Sequence, residues 1–139
     1  MAIYGVTGSR ECDDRLLVSD MLWDVTVNDT VVHGACIGAD ELCAEIAADA
    51  GARVVAIVPP DRRLVSRRAI SLSDEVIEIP SGPDGFKRRN QAIVDMVDRL
   101  LGFPLYPEDH PMSRRSGTWQ TIRMGRRKGI PVHVEVVIP

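Results

Sequence analysis

The sequence has few aromatic residues and no long apolar run. Aromatic residues make up 4% of the 139 residues, whereas 45% are hydrophobic, so Val, Ile, Leu and Ala must fill most of the core. No apolar run approaches the ~18 residues that a membrane-spanning helix needs, and no charged-then-apolar leader opens the sequence. We therefore expect a soluble protein that is not exported, with no membrane partner and a size suited to one globular domain.

Cysteine and histidine are scarce and scattered. The three cysteines, Cys12, Cys36 and Cys43, form no CxxC pair, so neither a disulfide framework nor a zinc site is predicted. The three histidines do not have the spacing of metal ligands. We expect a protein of the reducing cytoplasm that binds no metal and needs no cofactor.

Positive charge is scarce in the first part of the chain. Residues 1 to 60 contain 3 Lys and Arg against 10 Asp and Glu, whereas residues 61 to 139 contain 14 against 10. The net charge of −3 argues against a general nucleic-acid binder. The downstream arginines form either an ordinary solvated surface or an edge that faces an anion.

Short apolar runs alternate with helical patterns along the whole chain. Strands are predicted at 2–6, 31–33, 53–58, 75–79, 99–103 and 131–138. About four helices separate them, and residues 61–74 are predicted to be irregular, with at most a short helix. This alternation predicts an α/β fold in one domain over residues 1–139: a Rossmann-like, doubly wound, mainly parallel sheet with helices on both faces. Such sheets bind ligands beyond the carboxyl ends of their strands.

Three strand-to-helix loops have the composition of anion-binding turns, because they combine glycine, hydroxyl groups and a following helix N-terminus. The candidate ligand-binding residues of these loops are Gly8, Ser9 and Arg10 in the first, Gly34, Ala35, Gly38, Ala39 and Asp40 in the second, and Arg115, Ser116, Gly117 and Thr118 in the third. Arg114, in the loop before the third helix, is expected to reach the same anion as Arg115. The second loop is neither a P-loop nor a G-x-G-x-x-G turn, so hydrolysis of nucleoside triphosphates is not indicated.

Several residues have two interpretations from sequence alone. Asp40 is either a helix N-cap or a contact to a ribose hydroxyl. Arg89 and Asn90 belong to a basic helix start, which opposes the helix dipole unless an anion binds there. Trp119 is either a core residue or a platform for a base. A nucleophilic role for Cys36 is not supported.

These motifs, in this order and spacing, resemble the SLOG superfamily of Rossmann-like nucleotide-binding domains, and within it the YspA-like branch. The residues that carry the resemblance are Gly8-Ser9-Arg10, Gly34-x-x-x-Gly38-Ala39-Asp40, Arg89-Asn90 and Ser116-Gly117-Thr118. The resemblance covers nearly the whole chain. Relatives in this superfamily include DNA-processing protein A and the Lonely-guy phosphoribohydrolases, which cleave the N-glycosidic bond of cytokinin nucleotide precursors.

The resemblance implies that the second and third loops hold a phosphate and that Gly8 and Ser9 line the nucleotide cleft. It implies a catalytic role for Arg89, nine residues before Asp98, which is expected to close the same helix. The sequence departs from the hydrolases at Gln120 and Thr121, where they have two glutamates. Gln cannot carry the negative charge that stabilises an oxocarbenium-like sugar, so Asp40 or Glu41 would have to supply the carboxylate.

The function expected from sequence is therefore binding of a phosphorylated, nucleotide-like small molecule through the three loops. The alternative is an N-glycosidase that acts on a nucleoside 5′-monophosphate, with Arg89 and Asp40 as its candidate catalytic residues. Single-stranded DNA binding is a weaker alternative, because the net charge is negative and few aromatic side chains are available for stacking. A homo-oligomer is compatible with all three.

Overall fold

The structure is a computed structural model that describes residues 1–138, over which six strands alternate with five α-helices. The strands are β1 (Ile3–Gly8), β2 (Thr30–His33), β3 (Arg53–Val58), β4 (Glu75–Glu78), β5 (Arg99–Phe103) and β6 (Val132–Val134). The helices are α1 (Arg15–Met21), α2 (Ala39–Asp49), α3 (Arg67–Ser71), α4 (Gly85–Met96) and α5 (Gly117–Lys128). A 3-10 turn at Pro111–Ser113 precedes α5.

All strand pairs of the sheet are parallel, in the order β4-β3-β2-β1-β5-β6. The chain moves outward from β1 to β4 and then crosses back over the sheet to β5. The loops that follow β1 and β5 therefore diverge, which opens a crevice at the carboxyl edge of the sheet between these two strands. The predicted doubly wound α/β fold is confirmed.

Helices cover both faces of the sheet. On one face, α1, α2 and α3 contribute Val18, Cys43 and Ala69 to one buried cluster. On the other face, Ile93 of α4 packs against Val32, Val55, Ile57 and Leu100 in a second cluster. Because neighbouring residues of a strand point to opposite faces, an uninterrupted apolar strand such as β3 supplies both clusters, as the sequence predicted.

Two glycines let α5 lie unusually close to β5. A Cβ added at Gly102 would lie 2.7 Å from Cδ1 of Ile122, and one at Gly125 would lie 2.9 Å from Cδ2 of Leu100. The end of α5 also supports α4, because Nζ of Lys128 donates hydrogen bonds to the carbonyl oxygens of Val94, Asp95 and Val97. The C-terminal ends of α4 and α5 are thereby held together, and nearer their N-termini Nδ2 of Asn90 donates to Oε1 of Gln120 at 3.5 Å.

Several predicted boundaries differ from the structure. Helix α4 ends at Met96, so Asp98 does not close it; instead Oδ2 of Asp98 accepts a hydrogen bond from the N–H of Ile3. Strand β6 is three residues long, although Glu135, Val137 and Ile138 still donate N–H groups to the segment that begins with β5. The short helix within 61–74 is present as α3, which raises the number of α-helices in residues 1–138 to five.

None of the helices in residues 1–138 combines the length and apolar character needed to cross a membrane.

Candidate functional site

A cavity of about 430 Å³ opens at the carboxyl edge of the sheet, and all three predicted loops contribute to its wall. Eleven of the residues predicted from sequence line it: Gly8, Ser9, Arg10, Gly34, Asp40, Arg89, Asn90, Arg115, Ser116, Gly117 and Thr118. The carboxyl ends of β1, β2 and β5 and the N-termini of α4 and α5 converge on this space. The topology thus brings together residues that are more than 100 positions apart in the sequence.

Three predicted residues, Ala35, Gly38 and Ala39, do not line the cavity. Ala35 is fully buried and has a φ of 64°. Gly38 has a φ of 84°, and a Cβ added to it would lie 2.5 Å from the carbonyl carbon of Arg10. These residues fix the shape of the second loop without lining the cavity. The neighbouring residues Gly34 and Asp40 form its wall.

Close packing explains why residue 8 of the first loop is a glycine. A Cβ added at Gly8 would lie 2.3 Å from Cβ of Ala39 at the start of α2. Ser9 already forms hydrogen bonds within the protein. Its N–H donates to the carbonyl of Phe103, and its hydroxyl accepts the N–H of Glu11. Gly8 is therefore required by the fold, whatever the cavity binds.

The second loop is held by buried hydrogen bonds. Nδ1 of His33 accepts the N–H of Ala35 at 2.9 Å, and Oδ2 of Asp40 accepts the N–H of Cys36 at 3.2 Å. Asp40 lies in the first turn of α2, whose N-cap is Gly38, so the N-cap interpretation of Asp40 is wrong. Its carboxylate fastens the loop instead, with one edge on the cavity.

Burial determines the protonation behaviour of this loop. It raises the pKa of the Asp40 carboxyl, although the nearby Arg89 guanidinium acts in the opposite direction. It also raises the pKa of the Cys36 thiol, so the thiol stays protonated and is a poor nucleophile. Asp40 is the carboxyl of the cavity best suited to retain a proton.

Arg89 both supports the second loop and reaches the cavity. It is only 9% exposed, and it donates from Nη1 to the carbonyl of Gly34 and from Nε to Oδ1 of Asn90. A Cβ added at Gly34 would lie 2.6 Å from Nη1 of Arg89, which explains the glycine. Within residues 1–138, Nη2 of Arg89 has no hydrogen-bond partner, yet it is not sealed from solvent.

The third loop presents an open helix N-terminus to the cavity. Ser116 caps α5, since its Oγ accepts the N–H of Trp119 and its carbonyl accepts the N–H of Gln120. The N–H groups of Gly117 and Thr118 have no acceptor within residues 1–138. A Cβ added at Gly117 would meet only Nδ2 of Asn90, at 3.9 Å. Unlike Gly8 and Gly34, Gly117 is thus not required by the packing of the protein itself.

The cavity carries an excess of positive charge. Arg10, Arg89 and Arg115 line it, and none of them forms a salt bridge within residues 1–138. Its two acidic residues are Glu11 and Asp40, and burial favours the neutral form of Asp40. Together with the open N-terminus of α5, this balance favours an anionic ligand.

Trp119 is not part of the cavity wall. It is buried, and its indole N–H donates to the carbonyl of Tyr106 at 2.9 Å. Of its two interpretations from sequence, the core role is confirmed.

Glu41 does not line the cavity either. Its carboxylate accepts a hydrogen bond from the Ser66 hydroxyl.

Eight cavity residues were not predicted from sequence as ligand contacts: Val6, Thr7, Glu11, Cys36, Phe86, Ile93, Leu105 and Gln120. Val6, Thr7, Cys36 and Ile93 are buried, so Glu11, Phe86, Leu105 and Gln120 are the accessible ones. Gln120 stands out in the sequence only as a replaced glutamate, and Glu11 directly follows the first loop. Phe86 could have been predicted, because it is an aromatic residue at the beginning of the predicted basic helix. Leu105 had none, because it lies in a loop whose course only the tertiary structure defines.

The fold is shared with solved structures of distant sequence. DNA processing protein A from Streptococcus pneumoniae superposes with a TM-score of 0.73 at 19% identity, covering 96% of this chain and 50% of that one. The Helicobacter pylori protein, described as binding single-stranded DNA, gives 0.72 at 13% identity, over 96% and 64%. The molybdenum cofactor carrier protein of Chlamydomonas reinhardtii gives 0.66 at 16% identity, over 96% and 75%.

The chain shares the fold of these SLOG-type structures. It spans half to three quarters of the length of these three structures. No protein-family model and no curated protein matches the sequence. At these identities the likeness establishes the shared fold alone, and membership of the YspA-like branch stays a prediction.

Proposed function

We propose that the cavity binds a phosphorylated, nucleotide-like small molecule, with a phosphate at the N-terminus of α5. The observation that carries this proposal is the open approach at Gly117. Within residues 1–138, two N–H groups there lack an acceptor and no side chain fills the space, and Arg115 precedes the helix on the same wall. A helix N-terminus with free N–H groups and an arginine is a favourable environment for phosphate.

The fold neighbours support a ligand-binding function without identifying the ligand. One of them is a carrier of the molybdenum cofactor, and another binds single-stranded DNA. For this chain a small molecule is favoured over DNA. The net charge is −3, and several exposed arginines outside the cavity, such as Arg62, Arg63 and Arg68, are paired with carboxylates.

The N-glycosidase remains a second candidate function because Asp40 lines the cavity as a carboxyl with a raised pKa. A protonated carboxyl is suited to donate a proton to a departing base. Gln120, which replaces a glutamate of the hydrolases, also lines the cavity and supplies no charge. Binding is therefore the primary proposal, and catalysis would depend on Asp40.

The proposal is tested by a thermal-shift screen of nucleoside mono-, di- and cyclic phosphates and ADP-ribose-like compounds, with the matching nucleosides and a DNA oligonucleotide beside them. A ligand at 100 times its Kd stabilises the folded state by about 2.7 kcal/mol, so a weak ligand is detected. Stabilisation by phosphorylated compounds alone supports the proposal. Chromatography of each stabilising mixture for free base then separates a binder from an N-glycosidase.

Arg115→Ala is expected to weaken binding of a nucleoside 5′-monophosphate by at least about tenfold, equivalent to ~1.4 kcal/mol. A charge-assisted hydrogen bond typically contributes ~1.5–3 kcal/mol, and Arg115 is exposed on the cavity wall. Affinity for the nucleoside should change little. Calorimetric titration measures both. Arg114→Ala is the control, because Arg114 is equally exposed but does not line the cavity; a tenfold loss in the control variant would contradict the assignment.

Gly117→Val is expected to change the free energy of unfolding by less than about 1 kcal/mol, because within residues 1–138 only Nδ2 of Asn90 lies within 4 Å of the added Cβ. The same side chain would occupy the space in front of the helix N-terminus. We therefore expect the affinity for a nucleoside 5′-monophosphate to fall by at least about tenfold. Urea unfolding and calorimetric titration of one preparation measure both quantities; unchanged affinity in the folded variant would place the phosphate elsewhere.

A further inference from the structure

Phe86 is an exposed aromatic side chain in the cavity wall. It lies in the first turn of α4 and is 39% exposed, whereas the other phenylalanine, Phe103, is fully buried in the core. Val6 and Ile93 also line the cavity but are almost completely buried, so they offer little surface to a ligand. Phe86 and the partly exposed Leu105 therefore supply the accessible apolar surface of a cavity that is otherwise polar.

The ring has a fixed neighbour. The guanidinium carbon of Arg89 lies 5.6 Å from the centre of the Phe86 ring, within the range of a cation–π contact. Arg89 is itself held by the carbonyl of Gly34 and by Asn90. The side chain of Phe86 is thus steadied from the protein side while more than a third of it stays accessible.

Helix α4 relates Phe86 to the proposed phosphate position. Phe86 and Asn90 are four residues apart on one face of the helix, about 6 Å along its axis. Asn90 in turn lies next to Gly117, since its Nδ2 is 3.9 Å from a Cβ added there. A ligand with its phosphate at Gly117 would therefore extend past Asn90 to Phe86, and a ribose between a phosphate and a base has a comparable reach.

We infer that Phe86 is the stacking platform for the aromatic base of the ligand, so that the cavity selects nucleotides over sugar phosphates. This inference rests on the proposed function, because it takes the phosphate position at α5 as given. Stacking on an aromatic side chain tolerates any base, because every base has a π face. Phe86 accordingly confers a preference for the class of ligand and does not select a particular base.

The test compares the four nucleoside 5′-monophosphates with ribose 5′-phosphate by calorimetric titration. Wild type should bind the tightest nucleotide at least about tenfold more tightly than ribose 5′-phosphate, and Phe86→Ala should remove most of this difference. The affinity for ribose 5′-phosphate should stay within about twofold. Phe86→Tyr should retain nucleotide binding, whereas Phe86→Leu, which keeps apolar bulk without the ring, should resemble the alanine variant.

Met96→Ala is the matched control, because Met96 lies on the same helix, is 38% exposed and does not line the cavity; it should leave all affinities unchanged. Two outcomes overturn the inference alone: equal wild-type affinity for nucleotides and ribose 5′-phosphate, or full nucleotide affinity in Phe86→Ala. Failure of wild type to bind any of the five probes overturns the proposed function as well.

Discussion

Gly8→Ala is expected to lower the free energy of unfolding by about 3 kcal/mol, at the top of the usual range for an overpacked core. The added Cβ would lie 2.3 Å from Cβ of Ala39 and 3.0 Å from Cβ of Phe103. Neither neighbour can move aside by rotating a flexible side chain, because both atoms are attached directly to the backbone of packed elements. Helix α2 would have to shift away from the end of β1. Urea unfolding at neutral pH measures the loss.

Gly117→Ala is the matched control for this prediction. Both glycines line the cavity, but the position at Gly117 is open, so alanine there should change stability by less than about 1 kcal/mol. Equal losses in the two variants would mean that α2 does not pack on β1 as described. The pair thus separates a glycine that the fold requires from one that only a ligand requires.

The protein is expected to lose roughly 3 kcal/mol of stability between pH 6.5 and pH 4 through His33 alone. His33 is fully buried; burial, aided by the charge of Arg89, lowers its pKa from 6.5 to about 4. In this window the unfolded chain binds a proton that the folded protein does not, so stability falls as the pH falls. Above about pH 7.5 the histidine is almost completely neutral in both states, so its contribution to stability is nearly constant.

The structure explains why His33 stays neutral. Its Nδ1 accepts the N–H of Ala35, so Nε2 carries the proton and donates to Oγ of Ser73, whose hydroxyl donates to the carbonyl of Ala69. Protonation of Nδ1 would remove the acceptor that holds the second loop. Because the raised pKa of Asp40 works in the opposite direction in acid, the pH range just below 6.5 is the most informative.

Urea unfolding of wild type and His33→Gln from pH 7.5 to pH 5 checks this prediction. Wild type should lose stability as the pH falls below 6.5, and the variant, whatever its stability at pH 7.5, should show a much flatter dependence. His133→Gln removes an exposed histidine and serves as the control that keeps the wild-type slope. A wild-type stability that is constant over this range would show that His33 is accessible to protons in the folded state.

Arg89 illustrates how far sequence reasoning could go at the cavity. Its place in a basic helix start predicted a contact to an anion, and the structure places Arg89 on the cavity wall. The sequence could not show that its guanidinium also holds the carbonyl of Gly34 and the side chain of Asn90. Arg89→Ala would therefore disturb the second loop together with any ligand contact, and Arg115 is the better residue for testing phosphate binding.

The sequence by itself was sufficient to predict a parallel sheet with helices on both faces. It also predicted which edge of the sheet carries the candidate site. Continuous β-branched runs such as Arg53–Val58 and the helical spacing between them are local properties, because a buried parallel strand must be apolar on both faces and a helix on one. Parallel strands then place all strand-to-helix loops that follow them at one edge. Gly8, Gly34 and Gly117 line one cavity for this reason.

Only the tertiary structure decided what each glycine and each polar side chain is for. A glycine gives the same signal in sequence whether it lies against Ala39, against Arg89 or against open space, because the distinction depends on atoms from distant parts of the chain. The same holds for Asp40 and Trp119, whose partners are backbone groups of neighbouring loops, and for Phe86, whose exposure depends on how α4 is placed over the sheet. The burial of a residue and its contacts depend on atoms from the whole folded chain, so a local sequence pattern cannot predict them.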